Sequence, residues 1–244
     1  MGFSSFLFRR RLQRQGVALL RGFLAPTVAE RIRARFEANL ARLGEVIPDL
    51  GTNSSRNVFS ISPAFCENDQ SFPDRMAISA KCGPNYLRET VTAAERTLMY
   101  EEVGNLLERR LSFLGSPRIN EHAVARFELA RPTSAYNFYA LHQDAMPELT
   151  LDAHAWTAWL ALSSCGRDAP SLQYVEKRFD RLLPREEGNV FVDPSKVADL
   201  HFERPILNPG DLVVFSAYTL HGTWIAREMT KPRYSLDIRL VPTN

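Results

Sequence analysis

Gly210-Asp211-Leu212-Val213-Val214-Phe215, Leu220-His221-Gly222-Thr223 and Arg233-Tyr234-Ser235-Leu236-Asp237-Ile238-Arg239 follow one another near the end of the chain. Gly and Asp after Pro209 form a turn signal, and the apolar run behind them is too short for a core helix. It reads as a strand. Working outward, residues 122–130, 136–141, 156–162, 172–175, 211–216, 220–225 and 233–241 are all short and rich in β-branched or aromatic residues. Each is bounded by Pro, Gly or Asp.

The first half reads differently. Residues 16–24 suggest a short strand, and Thr27-Val28-Ala29-Glu30 has the form of a capping box opening an amphipathic helix to about residue 43. Residues 44–88 turn to Gly, Pro, Asn and Ser without periodicity, which predicts loops over a site mouth. Thr92-Ala93-Ala94-Glu95 caps a second helix, with Leu98, Val103, Leu106, Leu107, Leu111 and Leu114 at helical spacing before Gly115. Two helices followed by a run of strands predict a jelly-roll core with helices supporting one face. At 244 residues and 45% hydrophobic, the chain can bury one large core. We read one domain over 1–244, with a helical and loop part over 1–118 and the jelly-roll core over about 119–241.

Thirty basic residues against 28 acidic ones, with no long basic run, argue against a nucleic-acid surface. Cys66, Cys82 and Cys165 form neither an even framework nor a Cys-x-x-Cys pair, which argues against disulfides and structural zinc and fits a reducing cytoplasm. The opening Met1-Gly2-Phe3-Ser4-Ser5-Phe6-Leu7-Phe8-Arg9-Arg10-Arg11 is too short in apolar residues to span a bilayer, and Phe6 stands where a myristoylation signal needs Ser or Thr. It reads as an ordinary N-terminal arm, without stable membrane insertion.

His142-Gln143-Asp144 carries the chemistry. In an extended strand residues i and i+2 point the same way, so His142 and Asp144 can present an imidazole and a carboxylate to one point. A later strand carrying His221 completes a facial set of two histidines and one carboxylate, which leaves three metal positions open. His201-Phe202-Glu203 has the same i, i+2 spacing and is the competing pair. It lies close before His221 with Pro205, Asn208, Pro209 and Gly210 between, whereas a jelly roll pairs an early strand with a distant one. His122 and His154 read as solvent-facing or hydrogen-bonded.

Together, His-Gln-Asp, Gly-Asp-x-x-x-Phe, the distal His-Gly-Thr and Arg-x-Ser-x-Asp-x-Arg resemble the phytanoyl-CoA dioxygenase-like branch of the Fe(II)/2-oxoglutarate oxygenases. The resemblance covers roughly residues 122–241. It implies a double-stranded β-helix, cupin-like in architecture, with Fe(II) held by the catalytic residues His142, Asp144 and His221. It also implies 2-oxoglutarate and dioxygen as co-substrates and a small-molecule substrate. Hydroxylation of an unactivated C–H bond, with release of succinate and carbon dioxide, is the default outcome; desaturation, epoxidation and cyclisation stay open. Asp144 argues against halogenation, because halogenating relatives carry Gly or Ala there.

A dicarboxylate co-substrate needs a fixed cation for its far end, and Arg233 supplies a planar two-point fork with the Ser235 hydroxyl on the same strand face. The resemblance adds Tyr139, Trp159 and Thr223 as further co-substrate contacts and Gln143 as a substrate contact. Tyr and Trp in strands also commonly fill cores, and Asp237 with Arg239 reads equally as an internal ion pair. After Pro170-Ser171-Leu172-Gln173-Tyr174-Val175 the chain departs from the family pattern into Glu176-Lys177-Arg178-Phe179. Substrate analogy stops there, because loops around a rigid barrel set specificity. Arg56, Arg75, Lys81 and Arg88 near the predicted mouth make an anionic substrate conceivable, with a solvated loop surface as the plainer reading. Two rivals remain: a cupin-like metal enzyme without 2-oxoglutarate, which has no use for Arg233 and Ser235, and a non-catalytic jelly-roll binding module, which binds no iron.

Overall fold

The computed structural model describes residues 3–46, 55–60, 100–119, 124–128, 141–145, 154–185, 191–226 and 228–243. Tyr139, His122, the Thr92 capping box, nearly all of the predicted strand at 136–141 and most of 44–88 lie outside them. Among the described residues, helices α1 (Phe3–Gln15), α2 (Pro26–Val46) and α3 (Asn105–Arg110) accompany nine strands. The strands are β1 (Val17–Leu20), β2 (Ser55–Ser60), β3 (Arg118–Ile119), β4 (Val124–Glu128), β5 (Trp156–Ala161), β6 (Ser171–Tyr174), β7 (Leu212–Ser216), β8 (His221–Trp224) and β9 (Arg233–Val241).

The large sheet runs β1-β7-β5-β9-β4-β2, with β3 also on β9, and its pairs are antiparallel. β6 and β8 pair separately. Single bridges extend that small sheet, from His142 to His221 and Phe191 and from Tyr174 to Glu203. Two antiparallel sheets packed face to face are the jelly-roll arrangement that the strand run predicts.

Period-two alternation divides the large sheet into two faces. Ala158, Leu160, Leu212, Val214, Leu236, Ile238 and Leu240 pack outward against the helices, meeting Phe8, Leu12, Ile32 and Leu107. Each fully buried Leu, Ile, Val or Phe among them contributes about 1.5–3 kcal/mol. The other face turns inward. Val17, Trp159, Val213 and Phe215 meet Leu172 and Tyr174 of the small sheet there, with Cys165 and Leu207. Thr157, Arg233, Ser235 and Asp237 are buried on the same inward alternation. Polar groups inside a jelly roll mark a place prepared for chemistry.

Three expectations change. The N-terminal arm is helix α1, because Phe8 and Leu12 are spaced one turn apart and both reach the core, with Phe113 edge-on to Phe8 at 6.4 Å. The second helix is not one α-helix over its described part. A π turn at Tyr100–Gly104 precedes α3, and a 3₁₀ turn at Ser112–Leu114 follows before Gly115 at φ 90°. The stretch 44–88 is not uniformly irregular either, since β2 pairs with β4 inside it. Ser55 to Ser60 lacks apolar alternation, so that strand left no periodic signal.

The Gly210-Asp211 signal has a local cause. Gly210 sits at φ +90°, and a Cβ there would meet the Leu24 carbonyl oxygen at 2.1 Å. Asp211, buried, accepts from Arg21 Nη1 at 2.6 Å and from the Gly22 and Asn208 amides at 2.9 Å each. The turn after β1 and the entry to β7 are thereby tied to one carboxylate.

Candidate metal centre

His142, Asp144 and His221 meet between the two sheets, with one ligand atom from each within 4.8 Å of the others. Asp144 Oδ1 lies 3.9 Å from His142 Nε2 and 3.8 Å from His221 Nε2, beyond hydrogen-bonding length. The Asp144 carboxylate therefore converges with both imidazoles without hydrogen-bonding either. His221 Nδ1 lies 2.9 Å from the Thr219 carbonyl oxygen. A carbonyl only accepts, so Nδ1 carries the proton and Nε2 keeps its lone pair for a metal. Phe215 backs the ring at 4.4 Å between centroids.

Asp144 is fixed at both oxygens. Thr157 donates to Oδ2 at 2.7 Å and Arg239 Nη2 donates to Oδ1 at 2.8 Å. Arg239 Nη1 also bonds Asp237. Burial pushes the Asp144 carboxyl up, but the Arg239 charge, the two imidazoles and the Thr157 hydroxyl together outweigh it and hold the group well below the usual carboxylate range. Asp144 is a ready anion at neutral pH. Burial disfavours the charged form of Arg239, and Asp144 and Asp237 overcome that and raise its pKa.

Along the inner face, Arg233 is 1% exposed, with its guanidinium carbon 5.3 Å above the Trp159 ring. Its Nη1 lies 3.5 Å from Thr223 Oγ1 and 3.5 Å from the Ser171 carbonyl, at the outer limit of a hydrogen bond. Arg233, Trp159 and Thr223 thus share one place, and Ser235 follows on the same face of β9. The Ser235 hydroxyl is buried with no hydrogen-bond partner among the described residues. Such a group costs about 1–3 kcal/mol, which an acceptor on a bound molecule removes. A buried cation, a hydroxyl in need of an acceptor and a three-donor metal set together fit a carboxylate ligand beside a metal ion. Cys165 packs into the same apolar wall, where burial pushes its thiol up to about 11 against the opposing Arg233 charge.

Gln143 lies between the ligands and is buried. Its amide nitrogen donates to the Tyr218 and Arg181 carbonyls at 2.6 and 3.1 Å, and its oxygen accepts from the Leu183 amide at 2.6 Å. These bonds staple the 181–183 segment to the stretch that carries His142 and Asp144. The competitor His201 has an 87% exposed side chain and lies 3.4 Å from Glu203, far from any burial that a metal ligand would have. His154 is exposed. Sequence reading missed Thr157 and Thr219. Their only signal was position, Thr157 two residues before Trp159 on β5 and Thr219 two before His221.

No protein-family model matches the chain, and no curated protein sequence does. Solved structures do. The epimerase SnoN, in complex with Fe3+, alpha ketoglutarate and nogalamycin RO, is 17% identical at TM-score 0.55 and covers 98% of this chain and 83% of its own. AviO1 from Streptomyces viridochromogenes Tue57 is 18% identical at TM-score 0.57, covering 99% and 96%. The non-heme alpha ketoglutarate dependent carbocyclase SnoK is 15% identical at TM-score 0.56, covering 98% and 83%. This chain therefore has the double-stranded β-helix fold of these solved non-haem 2-oxoglutarate-dependent enzymes.

Proposed function

We propose that the protein is an Fe(II)- and 2-oxoglutarate-dependent dioxygenase that oxidises a C–H bond of a small molecule, by default hydroxylating it. The observation that carries this reading is the facial set of His142, Asp144 and His221, backed on the same inner face by the buried Arg233. Iron with 2-oxoglutarate and dioxygen supplies the oxidising power for an unactivated C–H bond and releases succinate and carbon dioxide.

The chain's own groups do the rest. His142 and His221 offer imidazole nitrogens, and Asp144 offers the single negative charge. Arg233 takes the far carboxylate of the co-substrate with Ser235 and Thr223, and Trp159 holds the guanidinium plane by stacking. Val213, Phe215, Leu172 and Leu207 form an apolar wall beside these groups that limits water. The epimerase, carbocyclase and non-haem monooxygenase that share this fold differ in reaction outcome, so the fold alone does not select hydroxylation.

The test is an anaerobic titration of the Fe(II)-loaded protein with 2-oxoglutarate, followed by aerobic succinate release against metabolite pools. A visible charge-transfer absorption and substrate-stimulated succinate are expected. Iron binding without any response to 2-oxoglutarate points instead to a cupin-like metal enzyme, and absence of iron binding sinks both.

A further inference from the structure

Thr157 and Arg239 face one another directly across β5 and β9, and Phe215 faces Thr157 from β7. Directly opposed residues of antiparallel strands project from the same side of the sheet. The row Phe215, Thr157, Arg239 therefore runs beneath the His-Asp-His set, and each member touches it. Phe215 backs His221, Thr157 takes one oxygen of Asp144, and Arg239 takes the other.

Resting on the metal reading above, we propose that this row makes Asp144 a one-oxygen ligand and so keeps a coordination position open for the co-substrates. Thr157 holds Oδ2 away from the ion. Arg239, itself fixed by Asp237, sets the plane of the carboxylate so that Oδ1 is the oxygen turned to both imidazoles. Thr157 and Arg239 are positioning residues, acting through Asp144.

The physical reason lies in how carboxylates bind. A carboxylate can engage a metal through one oxygen or two, and its choice follows what else the second oxygen can bond. Two imidazoles and a one-oxygen carboxylate leave three positions, two for a keto acid and one for dioxygen. A two-oxygen carboxylate removes one of these. The hydrogen bond from Thr157 is charge-assisted and stands in a buried site, where such bonds are strongest. Thr157 is also β-branched and sits in a strand, which restricts its side chain to few rotamers and keeps the hydroxyl aimed. Both clamps come from adjacent strands of the large sheet, so the carboxylate orientation is set by sheet register rather than by a loop.

The experiment uses Co(II) as an air-stable probe and compares wild type, Thr157→Val, which removes the hydroxyl and keeps the shape, and Thr157→Ser, which restores it. Co(II) affinity, the visible Co(II) spectrum and the 2-oxoglutarate affinity of the Co(II) protein are measured for each. In Thr157→Val the freed Oδ2 is expected to compete for the position the keto acid needs. Co(II) binding should be no weaker, 2-oxoglutarate binding should fall about tenfold, and the visible spectrum before co-substrate addition should change. Thr157→Ser, which regains the hydroxyl but not the β-branch, should return all three most of the way to wild type. A parallel loss of both affinities with an unchanged spectrum, or no change in either affinity, overturns the proposal. Wild-type protein that takes up no Co(II) overturns the metal reading and the proposal with it, and wild type that takes up Co(II) but ignores 2-oxoglutarate overturns the co-substrate reading and the open position assigned to it, while leaving the metal reading standing.

Discussion

His142 and His221 exchange both backbone hydrogen bonds, N to O at 2.9 and 3.0 Å, and their rings lie 4.3 Å apart. Residues far apart in sequence are thus registered by main chain, and their imidazoles inherit that register. A side-chain substitution leaves the pair intact. His221→Ala should retain the fold by circular dichroism and weaken Fe(II) binding by more than the ~10–100-fold typical of outer-shell partners. Anaerobic calorimetry checks this, and undiminished iron affinity in the variant would exclude His221 as a ligand.

Arg233→Ala removes a buried cation from beside Trp159 while leaving the three metal donors in place. If Arg233 holds the far carboxylate, 2-oxoglutarate affinity should drop by about 2–5 kcal/mol, tenfold to several-thousandfold. Metal affinity should not move. An unchanged co-substrate titration would place that carboxylate elsewhere.

Much of this was legible because the informative signals are local. The short β-branched and aromatic runs of β5, β7 and β9 and the turn at Gly210-Asp211 are properties of neighbouring residues, and His-x-Asp is a spacing read without knowledge of the fold. What the sequence hid depends on register across strands. That Thr157 stands opposite Arg239, or that the Thr219 carbonyl holds His221 Nδ1, follows only once pairing is known. Helix α1 was hidden for another reason. Phe6 and Leu7 remain exposed beside the buried Phe8 and Leu12, so the apolar residues do not trace one clean stripe.

Asp211 offers a test of the fold independent of the metal. Its buried carboxylate accepts three hydrogen bonds that join the β1 turn to the entry of β7. Asp211→Ala leaves the Gly22 and Asn208 amides without this acceptor. The Arg21 partner is half exposed and adds little. A loss of about 2–4 kcal/mol is expected, mostly from the two amides. For a chain of this size that is a fall in Tm of roughly 4–16 °C by calorimetry. A variant as stable as wild type would show that the turn is held by backbone bonds alone.

Asp144 gives a pH dependence with a definite sign. Burial alone raises its pKa, yet Arg239, the two imidazoles and Thr157 bring it below its ordinary 3.8. A carboxyl depressed on folding contributes stability that is fully present above its unfolded value and is lost as pH falls through the folded one. In metal-free protein, Asp144→Asn should therefore be less stable than wild type throughout about pH 7 to pH 5, where wild-type Asp144 is ionised in both folded and unfolded chains. The margin should narrow only below about pH 4, as protons begin to favour the unfolded chain. Urea unfolding of both proteins across this range measures it. A margin that has already closed by pH 5 would mean that Asp144 is not held as an anion by Arg239, and that the carboxylate clamp on the inner face is weaker than its 2.8 Å contact implies.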